Sequence, residues 1–227
     1  MKKISLLLLL TITCLSSNSQ NQGINNWWII GYEGFYGALP FGNTFMDFNS
    51  GIPVFSHSYL EMEFRQTHAN ISDTQGNLLF YTNGYYIADA THDTMMNGSG
   101  INPGAYANNV PDGLLIPQGA LIIKKPLSNN LFYLFHSTWD NYPNNGSVAY
   151  QLYLTTIDIN LNNNKGMVIQ KNNPILIDTL NTGKIAATKH ANGRDWWVMV
   201  HRVNSNKFYM VLVDSGGISA VYSQNIG

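Results

Sequence analysis

Residues Ile71–Gly84 read ISDTQGNLLFYTNG. A short apolar segment leads into a polar turn, then an apolar-aromatic run, then a second turn containing Gly. That is the pattern of a β-hairpin. The arrangement recurs along the chain. NWWIIGY begins at Asn26, NLLFYTN at Asn77, NLFYLFH at Asn130 and DWWVMVH at Asp195, with spacings of 51, 53 and 65 residues. Three of the four follow a comparable lead-in: ISDTQG, LIIKKPLSN and IAATKHANGR. The hairpin is therefore one copy of a repeated unit.

Each core run is followed by a further strand-like segment: NTFMDFNSG, YYIADATHD, AYQLYLTTIDIN and KFYMVLVDSGG. Short apolar segments then end the units: PVFSHS, MVIQ with ILIDT, and ISAVYSQ. No window carries a helical stripe over three turns, and Leu60–Gln66 reads as a single helical turn at most. The expected fold is all-β and β-propeller-like over residues 24–227. It would have about four blades, each a short four-stranded antiparallel sheet. A β-sandwich would also show many short strands, but it needs no similar hairpins at a long, near-constant period. The first unit starts at Trp27 and lacks a lead-in strand. In a closed ring the C-terminal end of the chain would supply that strand. The sequence stops at Gly227 with no extra strand, so the expectation is an incomplete ring, with a small closed four-bladed ring as the alternative.

Charged residues make up only 11% of the chain and the net charge is −1, which leaves no basic footprint for nucleic acid or anionic lipid. Aromatic strands and Asn/Gly turns suit a β-rich protein. The N-terminus reads as a signal peptide over residues 1–19. Lys2 and Lys3 precede the apolar run Ile4–Leu15, and Ser17-Asn18-Ser19 sets cleavage before Gln20. No transmembrane span is expected in the mature chain. Cys14 is the only cysteine. It would be lost with the leader, or acylated if the leader were of the lipoprotein type, although Thr13 before it departs from the usual small residue. The exported chain then has no disulfide and no thiolate metal site.

The segments HANISDTQGNLLFYTNG, MMNGSG and PQGALIIKKPLSNNLFYLFHS resemble the N-terminal part of exported Bacteroidetes surface proteins of the type IX secretion, gliding-associated kind. The resemblance spans Asn26–Gly227 and is most specific at Ile71–Gly84 and Gln118–Ser137. It implies a propeller-like region, export to the periplasm, the outer surface or the medium, and an adhesion-type role. It also implies further modules and a C-terminal sorting domain, which this sequence does not contain. No catalytic residues are carried over from it.

The chemistry-bearing residues are weighed one group at a time. His57, His68, His92, His136, His190 and His201 show no metal-ligand spacing. His136 and His201 fall at equivalent places after the core run, which favours a structural role. Glu61 and Glu63 would share one side of a strand. Asp47, Asp89, Asp158 and Asp214 each fall within or at the end of a unit's third strand and read as turn or edge features rather than a glycosidase pair. Ser72-Asp73-Thr74-Gln75-Gly76 is close to a sialidase Asp-box but misses its spacing. Asp93-Thr94-Met95 and Asp178-Thr179-Leu180 match the Asp-Ser/Thr-apolar pattern of Bacteroidetes O-glycosylation. There is no nucleophile elbow, phosphate loop or dinucleotide fingerprint. Two long loops remain, Asn97–Gly113 and Ser137–Ser147. In the second, Trp139, Asp140 and Tyr142 combine aromatic faces with polar groups, as sugar stacking or a protein hot spot requires. These three are the candidate ligand-binding residues, with Trp139 packed back on its own unit as the alternative. No cofactor or metal is implied. The expected function is non-catalytic binding of a cell-surface protein or glycan, with an extracytoplasmic propeller hydrolase, such as a glycosidase, as the runner-up.

Overall fold

A computed structural model describes residues 23–31, 42–141 and 147–227. The leader and Tyr142 lie outside these. The chain is all-β, built of short antiparallel meanders in sequence order. The first is β1 (Trp27–Ile30), β2 (Asn43–Asp47) and β3 (Val54–Ser58). The second is β4 (Ala69–Ser72), β5 (Leu78–Thr82), β6 (Tyr86–Asp89) and β7 (Thr94–Ser99). The third is β8 (Ala120–Lys124), β9 (Leu131–His136), β11 (Ser147–Asp158) and β12 (Met167–Leu180), with β10 (Asp140–Asn141) added to β11. The fourth is β13 (Ala186–Lys189), β14 (Trp196–His201), β15 (Lys207–Asp214) and β16 (Gly217–Asn225).

A parallel bridge, Met96 to Met167, links β7 to β12 and joins the middle two meanders into one mixed sheet. β4 lies back against β8, so this eight-strand path nearly closes into a barrel. The register explains the continuous apolar runs. In β5, Phe80 enters one core and Tyr81 another; in β9, Phe132 and Leu134 enter one and Tyr133 and Phe135 another. A strand buried on both faces has no polar side to alternate with. Three cores therefore lie in series. Ile29, Phe45 and Tyr81 fill the first, Phe80, Phe132 and Leu134 the second, and Phe135, Val198 and Val211 the third.

The turns are fixed by side chains. Asp73 Oδ1 accepts from the backbone N–H of Gln75 at 2.8 Å and of Asn77 at 2.9 Å, and Gly76 takes φ 83°. Asp47, Asp89, Asp158 and Asp214 are the last residues of β2, β6, β11 and β15. Each accepts from the backbone N–H two residues on, at 2.8, 2.7, 3.0 and 2.7 Å. This is the Asx-turn that lets aspartate end a strand. All four carboxylates are thereby placed at one rung of the repeat.

Some details differ from the sequence expectation. Among the described residues the first meander has three strands, as its missing lead-in implies, but the third has the extra β10. MVIQ and ILIDT form one strand, β12, kinked where Asn172 takes φ 56°. TMMNGS forms β7, so Asn97–Ser99 belong to a strand and not to the long loop. Leu60–Gln66 is not a helical turn: Leu60, Met62 and Phe64 alternate into the first core, with Glu61 exposed between them. Single turns occur instead at α1 (Ala105–Asn108) and at Leu161–Asn164, where Asn162 and Asn163 are left-handed. Among the described residues, no helix is long and apolar enough to cross a membrane.

Candidate functional site

A cavity of about 570 Å³ opens between the first two meanders. That volume is in the range of small-ligand sites. Trp27 of β1 and Phe45 of β2 form its aromatic wall, ring against ring at 5.9 Å and 83°. His92, from the β6–β7 turn, closes it, 5.6 Å from Phe45. The rim is polar: Asp47, Asn49, Ser56, Ser58 and Asn77. Register puts these groups together, because Phe45 stands opposite Ser56 on β3 and Trp27 opposite Asp47 on β2. The Asn49 amide is already committed, donating to the Gly76 carbonyl at 3.0 Å and accepting from Asn26 at 2.8 Å. Ser56 and Ser58 are exposed on the outer strand and line the opening.

His92 is held in an unusual pose. Its φ is 73°, a left-handed conformation rare for a residue with a Cβ. Its Nδ1 is 3.0 Å from the hydroxyl of Tyr81, a residue wholly inside the first core. Burial pushes the Tyr81 phenol well above its ordinary pKa, reinforced by the nearby Tyr86, Asp89 and Asp93. The phenol stays protonated and shares one hydrogen bond with Nδ1, in a direction set by the imidazole tautomer. The imidazole therefore adds a polar ring beside an aromatic wall, with serines across the opening. Such a surface binds uncharged, hydroxyl-rich ligands by stacking and shared hydrogen bonds.

The residues singled out from sequence fall elsewhere. Trp139 is half-buried and packs on Tyr106 of the other long loop, 4.7 Å between ring centres. Together they cover a small core of Ala107, Leu114 and Ile116. Asp140 enters β10, paired with Val148. Tyr142 lies outside the described residues. His136 is fully buried, with Nδ1 2.7 Å from Asn102 Oδ1 and Nε2 2.8 Å from Thr155 Oγ1. Burial depresses its pKa to about 3. His201 bonds the Ser205 carbonyl. Among the described residues, no three His, Cys, Asp or Glu side chains gather into a metal-holding group. The cavity draws on residues from β1, β2, β3, β5 and three turns, and no single motif announces it. Its only sequence signal is Trp27 in the first hairpin.

No family model matches the chain, nor does any curated protein or solved structure.

Proposed function

We propose that this chain is an exported, non-catalytic β-propeller module that binds glycan or protein at the cell surface. Each meander would be a blade, stacked on the next through one of the three cores. Propeller blades are built in this way, as short antiparallel sheets. The single observation behind the binding role is the cavity at Trp27, Phe45 and His92. It has an aromatic wall, a positioned imidazole and a rim of serine and asparagine side chains. The reading favours glycan in this cavity, because stacking with dispersed hydrogen bonds is how proteins hold sugar rings. The N-terminal leader motif and the Bacteroidetes resemblance support export and surface display.

The test is a panel of neutral oligosaccharides screened by calorimetry. Ser56→Trp plugs the opening from an exposed position, and His92→Ala removes the imidazole. Each is expected to weaken binding at least tenfold, worth about 1.4 kcal/mol, while the unfolding midpoint of Ser56→Trp stays near the parent's. Binding that survives both substitutions would move the site away from this cavity.

A further inference from the structure

We propose that copies of this chain join head to tail, the outer face of the fourth meander of one packing on the outer face of the first meander of the next. The proposal rests on the order of the meanders and does not depend on the cavity described above. Within the chain, each inner meander meets its two neighbours through opposite faces. The second turns Tyr81 toward the first and Phe80 toward the third. The third turns Phe132 and Leu134 toward the second, and Tyr133 and Phe135 toward the fourth. Every junction thus joins the trailing face of one meander to the leading face of the next. The first meander uses only its trailing face, with Ile29 and Phe45, and the fourth only its leading face, with Val198 and Val211. Among the described residues, no apolar core holds side chains from both of these meanders.

The two faces left over are apolar, because side chains alternate across a strand and these strands are apolar on both sides. On the first meander, Trp28, Met46 and Phe55 stand opposite one another across β1, β2 and β3. Phe48 packs on Trp28, ring centres 5.2 Å apart. On the fourth, Ala186, Met199, Met210 and Tyr222 form one row across all four strands. Thr188, Trp197, Leu212 and Ala220 form the next, and Trp197 meets Tyr222 at 5.9 Å. None of these rows contains a charged residue.

The order of faces names the occupant. A free leading face on the first meander and a free trailing face on the fourth are the two halves of the junction that the chain already makes three times. One chain carries both halves, so a second copy completes each. The net charge of −1 sets little repulsion against it. Such a contact is heterologous: a pair still has one free face at each end, and assembly continues to a closed ring or an open chain.

The experiment is sedimentation velocity of the mature chain over a concentration series, with two single variants and their mixture. Phe55→Lys charges the first face and Tyr222→Lys the fourth. Both side chains are at least half exposed, so the urea midpoints should stay near the parent's. Should either variant not fold, Trp28→Lys or Ala186→Lys places the same charge in the same row. The parent's average mass is expected to at least double between about 1 μM and about 100 μM, and each variant alone to stay monomeric. Mixed in equal amounts, the variants should form a dimer and nothing larger, because one keeps a sound fourth face and the other a sound first face. Three results would overturn the proposal. One is a parent that is monomeric at every concentration. Another is a variant that associates as the parent does, which would mean that like faces meet. The last is a mixture that stays monomeric.

Discussion

Two residues show how position, and not residue type, sets the energetic stakes. Gly183 and Gly193 both take φ 71°, yet a Cβ on Gly183 would lie 2.1 Å from the Pro117 carbonyl oxygen, and one on Gly193 would meet nothing within 4 Å. Left-handed alanine costs about 1 kcal/mol. Gly193→Ala should therefore cost about that much. Gly183→Ala should cost at least about 2 kcal/mol more, because the backbone itself must move. Urea midpoints of the two variants give the comparison, and equal midpoints would contradict the close approach. His136 makes a second case. Its Nδ1–H donates to Asn102, whose amide donates to the Gly84 carbonyl at 2.8 Å, and its Nε2 accepts from Thr155. The unfolded chain binds the imidazole proton near pH 6.5, whereas the folded chain resists it until about 3. Its contribution to stability is thus fully present above pH 6.5 and declines as pH falls toward 3. Between pH 7 and pH 5 the loss should be about 2 kcal/mol. His136→Gln should flatten that part of the profile. Parallel acid slopes for parent and variant in urea titrations would argue against it.

At the scale of elements, the strands that repeat were legible because they are buried on both faces. Leu131–His136 and Leu78–Thr82 are continuous apolar runs, and such runs survive any shift of register. β7 was not legible, because Thr94–Ser99 begins in a polar turn and ends in a Gly-Asn loop, and Met95 is its one buried large side chain. β12 was not legible as one strand, because Asn172 and Pro174 sit in its middle and look like a break. The cavity was still further from the sequence. His92 enters it only because a left-handed turn and the Tyr81 hydroxyl aim its ring, and neither leaves a motif. The two long loops were recognised separately, but their contact was not. Since Trp139 stacks on Tyr106, a double-mutant cycle of Trp139→Ala and Tyr106→Ala should return a coupling of about 0.5–1.5 kcal/mol. A coupling near zero would free Trp139 to act on a ligand instead.

For the whole molecule, the inner meanders present two apolar faces to neighbours, and the outer two present one. Ile29 and Phe45 fill the first core, but Trp28 is 52% exposed and Phe55 61% exposed on the opposite face. At the other end, Val198 and Val211 are buried while Met199 and Met210 remain half-exposed behind them. Apolar sheet faces of this kind promote association. Phe55→Lys should therefore raise solubility and leave unfolding stability within about 0.5 kcal/mol. Light scattering together with a urea titration reads both, and a large loss of stability would mean that Phe55 is covered in solution. The three cores in series carry a different consequence. Among the described residues, no side chain in the first core also contributes to the third. Cohesion is thus pairwise between neighbours, as in a linear array, and stability accumulates one interface at a time. Such a molecule can lengthen or shorten by whole meanders without redesigning those already in place. Under mechanical load it should give way in separate steps, one junction after another, instead of failing at once.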